Sequence, residues 1–386
     1  FSEAGYRVGY SGKWHLDGGL YLGYGKAQGG FPQEWWYDGK NYVDDIGPEM
    51  HKRWKRNYPS MEERMDDAFD AEDCWGHRIT DRCIDFLETA GDDPFLFVVA
   101  FDEPHGPYMA PREYLEAIDP QKFELRPNIN ASLEGKPEHH KWLAEGHENS
   151  EEDIRRYLHY YAACQTFVDD EVGRIVETVD RLHGDDTVIV FTSDHGSQMA
   201  SHGIWGKGYM MYDEATRTPL IFRGPGVAQG ANDAPVSQID LLPTFCELAE
   251  VEMPEQVQGA SLVPSLKDPG QHVNEAVMIT YTRFGNSGEP QRYPEENRDE
   301  LLKPRAQAFF PIRAVVDGRY KLVINLFDRD ELYDLQEDPY EMDNRIENPS
   351  LAARRDELHD WLLDEMSQTR DPIRNHAFAH RPWRQF

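Results

Sequence analysis

Asp194 and His195 stand side by side where an apolar run ends. Thr187-Val188-Ile189-Val190-Phe191 passes into Thr192-Ser193-Asp194-His195-Gly196, and a lysine bracketed by glycines, Lys207, follows. A carboxylate oxygen beside an imidazole nitrogen suits a divalent metal ion. The β-branched run reads as a buried strand, and the C-terminal ends of such strands are where open α/β sheets place ligand sites. An Asp and a His at this place also serve as a helix cap and a surface imidazole, so the pair alone leaves both readings open.

Two more segments have the same layout. Gly12-Lys13-Trp14-His15-Leu16 follows the apolar and aromatic residues Tyr6, Val8 and Tyr10, and extended backbone there would send Lys13 and His15 to one side and Trp14 to the other. Pro94 to Phe101 reads as another buried strand leading into Asp102-Glu103-Pro104-His105-Gly106-Pro107-Tyr108, where the prolines restrict the backbone around His105. A lone loop histidine making one backbone hydrogen bond is the plainer reading of His105. Taken together, the three strand ends suit a tetrahedral oxyanion. Lys and His neutralise a sulfate or phosphate ester and its leaving oxygen, while a metal polarises the central group. The reaction class these groups suggest is hydrolysis of a sulfate or phosphate ester.

The elements that must position these residues alternate. Glu151 to Leu182 carries apolar residues every three or four positions and leads through His183-Gly184-Asp185-Asp186 into the strand at Thr187. Asp73 to Ala90 repeats the pattern with Ile79, Cys83, Phe86 and Leu87, then turns at Gly91 to Pro94 into the strand before His105. Helix, turn, buried strand and polar loop thus occur twice, which is the wiring of a doubly wound α/β sheet. The cysteines and aromatics of these helices are read as core. Gly29 to Met65, rich in Gly, Pro, Trp and Tyr, reads as a long loop whose aromatic faces could stack on a sugar or aryl ring. Gly285 to Pro304 reads as a connection to a C-terminal part. There, Ile312 to Val316, Tyr320 to Ile324 and Leu332 to Leu335 read as antiparallel strands with a turn at Asp317-Gly318, followed by a helix from Ser350 to Met366.

The 386 residues carry 71 acidic against 40 basic side chains, a formal charge of −31, which makes nucleic acid or an anionic membrane an unlikely partner. The acidity reads as a solvated surface against which a local cationic cluster must work. No apolar stretch reaches the roughly eighteen residues of a membrane span. Four cysteines in so long a chain argue against a disulfide scaffold.

The residues quoted carry a family resemblance. The segment from Glu3 to Leu16 resembles the second signature of the type I, formylglycine-dependent sulfatases of the alkaline phosphatase superfamily. Ser193 to Gly196 with His202 to Gly208 resembles their metal-ligand strand end and sulfate-binding lysine, and Pro104 to Tyr108 their leaving-group loop. Arg217 to Gly226, Ser237 to Thr244 and Glu331 to Leu335 continue the likeness to the end of the chain. It implies an alkaline phosphatase-like α/β core, with a large, mostly parallel, mixed sheet between helices and a smaller C-terminal α+β subdomain. The expected division is residues 1–284 for the core and 285–386 for the subdomain.

The resemblance also implies roles. Lys13 and Lys207 would bind sulfate oxygens, His15 and His105 would assist the formylglycine chemistry and the leaving group, and Asp194 and His195 would hold Ca2+, with Mn2+ or Zn2+ as alternatives. The substrate would be a sulfate monoester on a carbohydrate or aryl alcohol. A phosphonate monoester or phosphodiester hydrolase of the same superfamily, and a non-catalytic binder of sulfated glycans, are the competing readings. One feature departs from the family: no Cys-x-Pro-x-Arg or Ser-x-Pro-x-Arg segment, the source of formylglycine, occurs in these residues. The expectation is that the sequence is a fragment, and that roughly a hundred upstream residues carry the nucleophile and further metal carboxylates. A periplasmic or secreted location would require a signal peptide upstream, and a cytoplasmic one its absence. Oligomeric state is not legible.

Overall fold

Three short runs pair into the first sheet: β1 (Arg7–Gly12), β2 (Trp36–Tyr37) and β3 (Phe95–Ala100), in the order β2-β1-β3. Both pairings are parallel, with Tyr10 opposite Val98 and Gly12 opposite Ala100. Parallel neighbours need a crossover, and the chain between β1 and β3 supplies helices α1 (Gly39–Trp54) and α2 (Trp75–Ala90). The computed structural model describes residues 1–16, 21–54, 68–145, 150–282, 311–374 and 376–384.

Helix α2 buries Ile79, Cys83, Phe86 and Leu87, the face expected from its periodicity. The ring of Phe86 meets that of Phe97 at 4.7 Å. Helix α3 (Glu151–Leu182) runs unbroken for 32 residues, its first turn capped by Ser150, whose hydroxyl accepts the Asp153 N–H at 3.1 Å. A polar bridge ties α2 to α3: His77 contacts Glu171 at 2.8 Å, and Arg174 reaches Glu171 and Asp81 at 2.6 Å each. The four cysteines are buried, and none is in a disulfide.

The segment read as a loop from Gly29 is partly helical, because Asp38 caps α1. Its carboxylate accepts the backbone N–H groups of Lys40 at 3.0 Å and Asn41 at 3.2 Å, while Tyr42, Val43 and Trp54 go into the core. Gly39, Gly47 and Pro48 hide the helical period, and α1 kinks at Gly47, where φ is 75°. The remainder of that stretch, 55–65, and the connection read at 285–304 lie outside the described residues. The aromatics Tyr10, Trp14, Phe31 and Trp36 pack on one another, with Trp14 5.1 Å from Tyr10 and 5.0 Å from Trp36.

The chain divides into two compact units, chiefly Phe1–Glu124 with Ser150–Ile189, and Leu125–Asn149 with Val190–Gly285 and Glu289–Phe386. In the second, β4 (Ile189–Thr192) pairs with β5 (Leu220–Arg223), and a capping box of Ser237 and Asp240 starts the helical segment that continues as α4 (Leu241–Leu248). Strands β6 (Val277–Tyr281), β7 (Ile312–Val316), β8 (Tyr320–Asn325) and β9 (Glu331–Asp334) form an antiparallel sheet. Three of these match the strands read from sequence, with the turn at Asp317-Gly318. Helix α5 (Ala352–Gln368) covers the sheet through Leu358, Leu362 and Met366 against Val315, Leu322 and Ile324. Among the described residues no helix is long and apolar enough to cross a membrane.

The end of β1 tolerates only glycine. Gly12 has φ 120°, and a Cβ on it would sit 2.0 Å from the carbonyl oxygen of Ala100. Gly12→Ala is therefore expected to cost about 3 kcal/mol or more, by backbone strain plus overpacking. Urea denaturation reads this directly, and a wild-type midpoint would refute it.

Candidate active site

Lys13 is placed by backbone pairing one step beyond β1. Its N–H donates to the Ala100 carbonyl at 2.8 Å, continuing the parallel ladder. Its Nζ lies 3.3 Å from Asp102 Oδ1 and 4.7 Å above the ring of Tyr21. Both charged side chains are largely enclosed, at 12% and 5% exposure, so the pair is worth more than a surface bridge. Trp14 turns the other way into the aromatic cluster, as the alternation expects. His15 does not continue that alternation, since the strand has ended and its φ is 48°. It reaches the same place through a turn, its ring 5.4 Å from that of Tyr21.

Tyr21 joins the group. Its hydroxyl donates to Asp102 Oδ1 and lies 3.1 Å from His105 Nδ1. Because that proton goes to the carboxylate, the phenol oxygen faces the imidazole as an acceptor. His105 Nδ1 is also 2.8 Å from the carbonyl oxygen of Gly106, so both neighbours require N–H at Nδ1. This fixes the ring and leaves Nε2 as the nitrogen for proton transfer. The peptides Glu103–Pro104 and Gly106–Pro107 on either side of the histidine are cis.

Behind Asp102, Glu103 is buried, and its Oε1 accepts the Gly76 N–H of α2 at 3.2 Å. Burial first, and then the neighbouring Asp102 charge, push its carboxyl up to about 8.

In the second unit, β4 ends just before Ser193-Asp194-His195. Gln238 Nε2 donates to the carbonyls of Ser193 and of Asp194, the latter at 3.0 Å, and the Ser193 hydroxyl donates to the His195 carbonyl at 2.7 Å. Gly196 then passes against the backbone of residues 214 and 215: its N–H donates to the Ala215 carbonyl at 2.9 Å, and a Cβ would lie 2.0 Å from the Glu214 carbonyl oxygen. The His195 Nδ1–H donates to the Gly196 carbonyl at 2.9 Å, which leaves Nε2 as a lone-pair donor in the neutral ring.

His195 Nε2 stands 3.3 Å from Asp194 Oδ2, the carboxylate exposed and the imidazole partly so. Two ligands at about 2.3 Å from one ion and at right angles to each other are separated by about this distance. The pair therefore fits part of a divalent-metal site. Among the described residues no group of three or more His, Cys, Asp or Glu side chains stands together to complete one. Lys207 is exposed between Gly206 and Gly208, whose φ values are 74° and 108°.

The residues expected to act thus fall into two groups. Lys13, His15 and His105 meet around Tyr21 in the first unit, and Asp194, His195 and Lys207 belong to the second. Sequence reasoning passed over Tyr21, Asp102 and Gln238. Asp102 was detectable as the first carboxylate after a strand, whereas Tyr21 and Gln238 matter only through contacts distant in sequence.

Residues 1–251 match the family model described as Sulfatase. The chain is 38% identical to the uncharacterized sulfatase YidJ of Escherichia coli (strain K12), over all of this chain and 74% of that one. It is 30% identical to a choline-sulfatase of Rhizobium meliloti, over 75% of this chain and 57% of that protein. Among solved structures, a protein in complex with its substrate D-glucosamine-2-N,6-O-disulfate superposes with TM-score 0.69 at 21% identity, covering 98% of this chain and 82% of that one. A phosphonate monoester hydrolase from Silicibacter pomeroyi gives 0.72 at 23% identity, with 98% and 80% covered. These likenesses carry the fold, which is the alkaline phosphatase-like α/β one.

The buried Glu103 gives a pH test. Below about pH 4.5 its carboxyl is neutral in the folded and unfolded chain alike. Between there and about 8 the folded state keeps a proton that the unfolded state has lost, so stability falls as pH rises through that window. Glu103→Gln is expected to flatten this part of the stability profile and to exceed the wild type at pH values above about 8. Parallel profiles from chemical denaturation would refute it.

Proposed function

This chain belongs to the sulfatase family, the sulfuric ester hydrolases of the alkaline phosphatase-like superfamily, and from that premise we propose how its own residues act and on what. The substrate is a sulfate monoester of a carbohydrate or aryl alcohol. The observation that carries the reading is the enclosed group of Lys13, Tyr21, Asp102 and His105 at the C-terminal ends of two parallel strands.

Lys13 offers an ammonium whose direction is fixed by Asp102 and the Tyr21 ring, so it meets a sulfate oxygen without first being ordered. Lys207 is the other lysine assigned to a sulfate oxygen. His105, with Nδ1 committed to Tyr21 and Gly106, holds the transferable proton at Nε2 for the leaving oxygen, and His15 is the second imidazole of that group. Sulfatases generally use a metal ion and formylglycine. Asp194 and His195 would hold the ion, proposed to be calcium, whose chemistry when bound is to polarise a sulfate oxygen as a Lewis acid.

Two measurements test the assignment. Lys13→Ala and Lys207→Ala should each lower kcat/KM on an aryl sulfate by about 100-fold or more, by analogy with losing one oxyanion donor, while thermal melts show a folded protein. Unaltered turnover in both would refute the sulfate-binding roles. Asp194→Ala should lose bound metal as counted by elemental mass spectrometry, which also separates calcium from manganese and zinc. Full metal occupancy in that variant would overturn the ligand assignment.

A further inference from the structure

Two buried side chains grip the backbone just beyond Lys207. The ring of His139, fully buried, has Nε2 2.7 Å from the Tyr209 carbonyl and Nδ1 2.8 Å from Asp328 Oδ2. A carbonyl and a carboxylate can only accept, so both edges of the ring face acceptors that hold it in place. Asp328 is suited to match it. Burial alone would raise its carboxyl, but the bonds from the His139 ring and from the N–H groups of Glu138, His139 and Arg329 hold it down to about 2. Two residues further on, Lys321 Nζ, also fully buried, donates to the Met211 carbonyl at 2.8 Å. It is held by Asp213 at 2.5 Å and Glu341 at 2.8 Å.

We propose that His139 and Lys321 are positioning residues that set the place of Lys207 by clamping the carbonyls of residues 209 and 211 to the C-terminal sheet. A loop that carries an exposed lysine between two glycines has little rigidity of its own. Charge-assisted hydrogen bonds from fully buried donors supply it, because each donor is itself locked by a carboxylate and has no water to exchange with. The strand β8 and the turn after it, distant in sequence from any residue of the site, thereby determine where the cation can meet an anion.

The inference rests on Lys207 binding sulfate, and its test keeps the two apart. His139→Gln in the full chain retains the side-chain length but can reach at most one of the two acceptors. Amide hydrogen exchange in peptides spanning residues 205–213 should speed up by about tenfold or more in this variant. Both the KM for an aryl sulfate and the inhibition constant of inorganic sulfate should rise by about tenfold, with kcat changed less. Combined with Lys207→Ala, His139→Gln should add no further loss.

Wild-type exchange across 205–213 would overturn the clamp, and so would losses that multiply in the double variant. Accelerated exchange with sulfate inhibition unchanged in both His139→Gln and Lys207→Ala would leave the clamp standing and remove the sulfate-binding role of Lys207. Asp328→Asn, nearly isosteric, carries the same exchange expectation at smaller amplitude and decides the matter if His139→Gln does not fold.

Discussion

The parallel pairing of β1 with β3 is the constraint on which the first group of site residues depends. It brings the end of one strand, where Lys13 stands, beside the end of another, where Asp102 and His105 stand. Each later feature uses that proximity. The Lys13 backbone can continue the ladder to Ala100 because Gly12 has no side chain, and its ammonium then reaches Asp102 rather than solvent. Tyr21 uses the same carboxylate as its acceptor, and in doing so settles which nitrogen of His105 carries the fixed proton. A shift in strand register by one residue would reverse the facing of every side chain in β1 and dissolve the group.

The charge balance of the molecule gives these few cations a particular task. With a formal charge of −31, the chain repels an anion at long range, and screening weakens that repulsion beyond about 8 Å at physiological ionic strength. Attraction must come at contact distance. Lys13 is already paired with Asp102, so it offers directed N–H bonds more than net positive charge. The same economy holds at His195, where the backbone carbonyl of Gly196 orients the ring and leaves one nitrogen facing Asp194.

Much of this was legible before any coordinates. Helices α2 and α3 announce themselves by apolar spacing, and the strands before His105 and Asp194 by uninterrupted β-branched and aromatic runs ending in polar turns. The motif residues Lys13, His15, His105, Asp194, His195 and Lys207 could be named because their types are rare together at strand ends. Helix α1 was missed because Gly39, Gly47 and Pro48 break its period, although the cap that starts it, Asp38, is an ordinary helix-initiating residue. Tyr21 and Gln238 were missed for a different reason: a tyrosine in a Gly-rich stretch and a glutamine at a helix start carry no local signature of their tertiary partners. The roles of His139 and Lys321 were invisible for the same cause, since only the fold shows which carbonyls they face.

The four buried cysteines have a consequence of their own. Burial pushes the Cys83 thiol up to about 12 and holds that of Cys74 well above its ordinary value, so neither presents a thiolate at neutral pH. All four are buried, and Cys74, Cys83 and Cys164 sit within packed hydrophobic clusters. No disulfide joins them, and the thiols pack as small apolar groups. The folding free energy of this chain therefore draws on these thiols through their packing as small apolar side chains rather than through a bond between them.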